Sequence, residues 1–335
     1  RFDYSGGATC PSLLLEPSRT NLITQSEYYG GSAWIKTNVV VTDNDAISPE
    51  GVQNAAKVVT SSGSVNVKQD SISVTPSTTY TFSFWCKLTS GTTLKGRFYD
   101  NTAGADIEYY DYTSQLTIGE WARVERTFTT PAGCTSIQVW LLAQSATLVT
   151  AHYWGAQAEA GSYPTSYIPN HSGGSVTRGE DSCVDGGSAE SINSTEGVLY
   201  AEISALANAD VNRKISLNDG TSNNSVVMFY YTLSDYIFFQ IYKAGTRVLN
   251  LNVSYVDKSI LHKIAFKYKN SDYSVWIDGV EVLTDSLADN IPANTLNKLS
   301  FDGGVGAYPF NGNVKQVLVF KEALSDTELI KLTTI

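Results

Sequence analysis

The sequence is poor in charge, histidine, cysteine and methionine, and each shortage removes a class of function. Charged residues make up 17% of the 335 positions and there is a single Met, so the Ala-, Glu-, Leu- and Lys-rich stretches of long helices are missing. Lys and Arg total 23 against 33 Asp and Glu, a formal charge of −10 with a pI of about 4.8. An acidic surface repels phosphate backbones, which argues against nucleic acid as a partner. No apolar run approaches the roughly 20 residues that span a bilayer, so membrane insertion is not expected. No secretory signal opens the chain, which begins on Arg1. The expectation is a processed N-terminus or the ordered part of something longer.

The three histidines, His152, His171 and His262, stand apart, and no Gly-x-Ser-x-Gly elbow supplies a nucleophile for any of them. Sandwich-type glycosidases place acidic residues at alternate positions of one strand so that both carboxyls face the sugar. Glu202 has no carboxylate two residues away, and Glu108 and Asp111 are three apart, on opposite faces of a strand. The chain therefore reads as a non-enzyme. The four cysteines, Cys10, Cys86, Cys134 and Cys183, form no Cys-x-x-Cys and have no nearby His, which excludes an ordinary zinc site. They allow three pairings. Cys10 and Cys183, in Gly-rich segments flanking the first strand-rich region, suit a clasp, whereas Cys86 shares a strand face with Phe82 and Phe84 and suits a buried thiol.

What the chain does have is aromatic: 20 Tyr, 12 Phe and 6 Trp, the mix that suits pleated, half-buried surfaces. Alternating runs such as Tyr80–Leu88, Leu94–Tyr99, Trp121–Thr129, Ile137–Leu142 and His152–Glu159 are broken by Pro and Gly, and a second series runs from Gly197 to Phe320. Asp278-Gly279 between two apolar runs predicts a two-residue hairpin, because that turn needs positive φ. Ser325 with Glu328 predicts a capped helix at the end. The fold expected is all-β: two tandem β-sandwiches with a short C-terminal helix. Residues 1–20 read as an irregular lead, 21–169 as the first sandwich, 170–190 as a Gly- and Ser-rich linker and 191–335 as the second sandwich.

Several stretches carry a resemblance. Tyr80–Lys87 (YTFSFWCK), Glu120–Thr130 (EWARVERTFTT) and Trp154–Glu159 (WGAQAE) followed by Ser166-Tyr167-Ile168-Pro169 resemble jelly-roll carbohydrate-binding modules. Arg1–Gly7 (RFDYSGG), Ser12–Leu22 (SLLLEPSRTNL), Thr177-Arg178 and Asp181-Ser182-Cys183 are similar to the segments flanking such modules in phage structural proteins. Val275–Val282 (VWIDGVEV) and Gly312–Leu329 (GNVKQVLVFKEALSDTEL) resemble laminin-G-like, concanavalin-type sandwiches. The combination implies an appendage of a tailed-phage virion, a fibre or decoration protein at the virion surface. It would be homo-oligomeric, with a trimer favoured, and its partners would be surface glycans and other virion subunits. A purely structural virion protein, or the non-catalytic modules of a secreted polysaccharide-degrading enzyme, are the alternatives.

Sugar binding needs flat aromatic platforms with polar side chains beside them. Tyr99, Tyr109, Tyr110 and Tyr112 cluster in one acid- and tyrosine-rich tract, where Tyr109 and Tyr110 must point to opposite faces of a strand. Trp34 is a second candidate platform. Both resembling families often carry a structural calcium ion, and Glu159 with Glu16 (and Asn21) are the oxygen ligands expected here.

Overall fold

The computed structural model describes residues 2–3, 11–61, 63–145, 148–207, 211–232, 236–254, 257–286, 289 and 291–334. The chain divides into two compact units: residues 18–179, and residues 1–17 together with 180–335. The first unit thus interrupts the chain of the second. We call them the inserted unit and the host unit.

The inserted unit is a sandwich of two five-stranded antiparallel sheets. One sheet runs Ala105–Asp111, Lys95–Asp100, Ser136–Ser145, Ser64–Ser73, Ile35–Thr37. The other runs Trp121–Thr129, Thr79–Ser90, Thr150–Ala160, Gln53–Thr60, Val39–Ile47. Alternation decides which side chains meet between them. Phe82, Phe84 and Cys86 from one sheet face Phe98, Val139 and Leu141 from the other, and all six are buried. The rings of Phe98 and Phe128 stack across the sandwich at 3.9 Å between centroids.

The host unit is also a two-sheet sandwich. Its larger sheet has seven strands in the order Phe2–Asp3, Ser12–Leu15, Gly312–Phe320, Glu196–Ala205, His262–Lys269, Tyr273–Ile277, Val280–Asp285. Its smaller sheet has five: Thr246–Val253, Ile237–Lys243, Ser225–Tyr230, Arg213–Asn218, Lys298–Ser300. Asp278 and Gly279 both take positive φ, as the hairpin signal requires. Helix Asp326–Thr333 closes the unit: the Glu328 carboxylate accepts from the Ser325 N–H at 2.8 Å and hydroxyl at 2.6 Å, and Leu329 packs beside Val198, Tyr200 and Trp276.

Two boundaries differ from expectation. The lead is not irregular throughout: Ser12–Leu15 pairs with Gly312–Phe320, Leu13 opposite Val314, and Leu15 is buried in the host core. Residues 170–190 are not a linker either. Asn170 is buried with its amide donating to the carbonyls of Ile23 and Gly174, and Val176–Arg178 pairs with Arg19–Asn21. Beyond it, the Asp181 N–H donates to the Glu16 carbonyl, and Cys183 accepts from the Phe301 N–H. Small polar residues looked like a spacer because their partners lie some 150 residues away in sequence.

Candidate functional site

Inward-facing Gly96, Phe98, Val139 and Leu141 leave the alternate positions of their strands on the outer face of the first sheet of the inserted unit. Strand register then sets one row across four neighbouring strands. Tyr109 stands opposite Arg97, Arg97 opposite Trp140, and Trp140 opposite Lys68; Ile35 ends the row on a fifth. Rings and cations alternate along it. The Arg97 guanidinium lies 4.9 Å from the Tyr109 ring centroid, 4.7 Å from that of Trp140 and 4.5 Å from that of Tyr99, and the Lys68 ammonium lies 4.6 Å from that of Trp140. Each such contact adds about 0.5–1 kcal/mol at an exposed site, and together they restrain long side chains that would otherwise be mobile.

Hydrogen bonds fix the polar groups between the rings. The Gln138 side-chain oxygen accepts from both Lys68 Nζ and Trp140 Nε1 at 2.8 Å. Its amide nitrogen donates to Asn101 at 2.8 Å, and Asn101 donates in turn to Asp70 at 2.8 Å. Arg97 pairs with Asp106. The result is a preordered face with Tyr109, 55% accessible, beside the Arg97 cation on the next strand, and the Gln138 amide and Lys68 cation on the two strands beyond. Such a face can hold the apolar side of a pyranose ring and hydrogen-bond its hydroxyls.

Of the sequence candidates, Tyr99 and Tyr109 are brought together here, joined through Arg97. The other three are core residues. Tyr110 turns inward over Gly96, where a Cβ would overlap the ring, and stacks on Phe98 at 5.0 Å. Tyr112 is fully buried, its hydroxyl donating to the Leu141 carbonyl at 2.9 Å. Burial pushes both phenols well above their ordinary range. Trp34 is 1% exposed, packed on Tyr29 at 4.8 Å with its Nε1 donating to the Gln25 carbonyl, and its neighbour Ile35 is the side chain that faces out. Arg97, Trp140, Lys68 and Gln138 were missed. Period-two reading of Ile137–Leu142 contains the signal: if Ile137, Val139 and Leu141 face the core, Gln138 and Trp140 face out.

The expected calcium ligands have other partners. The Glu159 carboxylate is fully buried and accepts from Gln157 Nε2 at 2.5 Å and from the Thr165 N–H and hydroxyl at 2.8 Å, with Arg19 Nε at 3.6 Å. Its charge is thus answered by an arginine and three hydrogen bonds without an ion. The side chain of Asn21 is spent on backbone groups of Ile23, Ala156, Ala158 and Ile168. Glu16 belongs to the host unit, where its N–H donates to the Asp181 carboxylate at 3.0 Å. These residues do not fit the calcium set expected, and among the described residues no group of three His, Cys, Asp or Glu is placed to hold a metal. Of the proposed clasp, Cys10 lies outside the described residues and Cys183 packs, half-buried, against the host core. His152 is held by Asp45 at 2.9 Å, and His262 by Asp278 at 2.6 Å and the Asp257 carbonyl at 2.9 Å.

Residues 27–147 match a carbohydrate binding domain family, and residues 203–330 match the concanavalin A-like lectin/glucanases superfamily. The chain therefore carries a carbohydrate-binding-type jelly roll set into a concanavalin-like sandwich. No curated protein sequence matches it. Among solved structures, it is similar to the sialidase module CBM40 of Ruminococcus gnavus bound to α2,3-sialyllactose (16% identity, 45% of this chain and 94% of that one, TM-score 0.36). It is also similar to the enzymatically active domain of tailspike protein 4 of bacteriophage CBA120 (18% identity, 42% of this chain, TM-score 0.34), of which it covers 21%. A pentraxin of Limulus polyphemus gives 11% identity over 44% of this chain and 72% of that one, with a TM-score of 0.34.

Proposed function

We propose that the chain is a non-catalytic glycan-binding protein whose inserted jelly roll engages sugars on the row Tyr109, Arg97, Trp140 and Lys68. The observation that carries this reading is the row itself: aromatic rings on an outer sheet face, locked by cations and by the Gln138–Asn101–Asp70 chain. The match of residues 27–147 to a carbohydrate binding domain family supports it. A rigid platform pays little ordering entropy on binding, which suits ligands that are themselves weakly held.

The wider role we propose is adhesion at a tailed-phage virion surface, as a homo-oligomeric, preferably trimeric, fibre or decoration protein beside other virion subunits. What supports it is the resemblance of the stretches Arg1–Gly7, Ser12–Leu22, Thr177-Arg178 and Asp181-Ser182-Cys183 to segments of phage structural proteins. An oligomer would present several weak sites at high effective concentration.

The test is a broad glycan array followed by titration of any hit against Trp140→Ala and Tyr109→Ala. Loss of an aromatic anchor of this kind costs about 2 kcal/mol, roughly a thirtyfold weakening. Hits that bind both variants as well as the parent would place the sugar site elsewhere. An array with no hits, with the protein found at a defined position in virions, would favour a purely structural role. A monomeric mass by light scattering would remove the oligomer.

A further inference from the structure

A second constellation lies in the host unit, on the outer face of its five-stranded sheet. In strand Arg213–Asn218, Ile215 and Leu217 are buried in the host core, so Lys214 stands on the opposite face. The segment after Asp302 is tied to itself. The Asp302 carboxylate accepts from the N–H groups of Gly304 at 2.6 Å and Gly306 at 2.9 Å, and the Gly303 N–H donates to the Ala307 carbonyl at 2.8 Å. This loop sets Tyr308 beside the sheet, its carbonyl accepting from the Lys214 N–H at 3.0 Å.

Tyr308 has φ +60°, a conformation that bulky residues rarely adopt, yet the residue is 53% exposed. Core packing therefore does not account for an aromatic residue where glycine would sit without strain. The Lys214 ammonium lies 4.7 Å from the Tyr308 ring centroid and 5.0 Å from that of Phe229. Among the described residues no carboxylate forms an ion pair with it, and burial holds its pKa below the ordinary lysine range. Beside it opens a cleft of about 280 Å³ lined also by Asn223, Ser225 and Tyr242. That is close to the lower end, roughly 300 Å³, of ligand pockets, enough for one sugar ring rather than a chain.

We propose that this cleft binds a single acidic sugar residue, its carboxylate or sulfate group pairing with Lys214 and its ring lying against Tyr308. Among the described residues this half-buried cation flanked by rings has no anionic partner, and the Asn223 amide, the Ser225 hydroxyl and the Tyr242 hydroxyl oxygen, whose proton goes to Gln240, line the cleft where a sugar's hydroxyl groups would lie. The site is independent of the row on the inserted unit, and either can fail without the other.

The experiment reads Lys214 itself. The full chain is labelled with ¹³C-lysine, and the ε-methylene signal of Lys214 is identified as the one missing in Lys214→Arg. Titrants are D-glucuronate, glucose 6-sulfate, D-glucose and inorganic sulfate. The expected result is a saturable shift with glucuronate, glucose 6-sulfate or both, at least about tenfold tighter than glucose, as one charge-assisted hydrogen bond provides. Which acid is preferred distinguishes carboxylate from sulfate. Tyr308→Gly should weaken acidic-sugar binding while the melting temperature does not fall, since glycine takes positive φ freely. The proposal is overturned if neither acidic sugar moves the signal, if inorganic sulfate moves it at the same concentrations, or if Tyr308→Gly binds as the parent does.

Discussion

Leu15→Ala is a decisive perturbation of the interrupted architecture. Leu15 is 3% exposed and belongs to the host core, although 162 residues of inserted unit separate it from the rest of that unit. Truncating a fully buried leucine costs about 2–5 kcal/mol in transfer and cavity terms. For a domain of roughly 150–250 residues each kcal/mol moves the melting temperature by about 2–4 °C, so a mid-range loss of about 3 kcal/mol predicts a fall of about 9 °C. Differential scanning calorimetry of the full chain should show two transitions, one of them shared with a fragment of residues 18–179. Leu15→Ala should lower only the other. Phe2→Ala is the control, because Phe2 is 68% exposed on the adjoining strand, and it should shift neither transition by more than about 0.5 kcal/mol. A fall in the transition shared with the 18–179 fragment, or no fall at all, would refute the assignment of the N-terminal strand to the host.

Tyr109 and Tyr110, adjacent in sequence, should separate cleanly: Tyr109→Ala weakens sugar binding and costs at most about 1 kcal/mol of stability, the loss of its contact with Arg97, whereas Tyr110→Ala removes about 3–5 kcal/mol by denaturant unfolding, as a buried aromatic does. In the 18–179 fragment, which contains only Cys86 and Cys134, thiol reagents at pH 8 should label neither until the fragment unfolds. Burial, then hydrogen bonding to Asp100, pushes the Cys134 thiol up to about 11, and burial raises Cys86 further. The Ser325 hydroxyl and N–H hold the Glu328 carboxyl below its ordinary value, so the capped helix keeps that stabilisation above the unfolded glutamate pKa of about 4.3 and loses it as pH falls through the lower folded value. Amide exchange of the last turns should quicken only in that acid range, and exchange that is flat down to the folded pKa and below would contradict it. Replacing residues 18–179 by a short Gly-containing turn should leave the host folded, because Glu16 and Asp181 on either side of the insertion bond each other directly; loss of the host transition in calorimetry would count against it.

What was legible in the sequence was whatever depends on near neighbours. Alternation in Tyr80–Leu88 gives the Phe82, Phe84 and Cys86 core face, Asp278-Gly279 gives the hairpin, and Ser325 with Glu328 gives the cap; each signal spans at most nine residues. The lead and the supposed linker were misjudged because their strands pair across long separations, Leu13 with Val314 and Thr20 with Thr177, and nothing local distinguishes them from coil. The binding face was half legible for the same reason. A tyrosine-rich tract marks the right strands, but which tyrosine faces out depends on the register shift between Asp106 and Glu108. Arg97 and Trp140 join Tyr109 only when three strands align.

That dependence on alignment bears on how the molecule is built. A domain can be set into another chain without disrupting it only where the two crossing segments lie side by side. Here they do so within each unit separately. Arg19–Asn21 pairs with Val176–Arg178 in the inserted unit, and the Thr20 and Thr177 hydroxyls bond at 2.8 Å. In the host, Glu16 and Asp181 exchange two bonds, one through the Asp181 carboxylate and one through its backbone N–H. Two covalent connections resist local fraying better than the single connection of a tandem arrangement, since neither unit has a loose end at the junction.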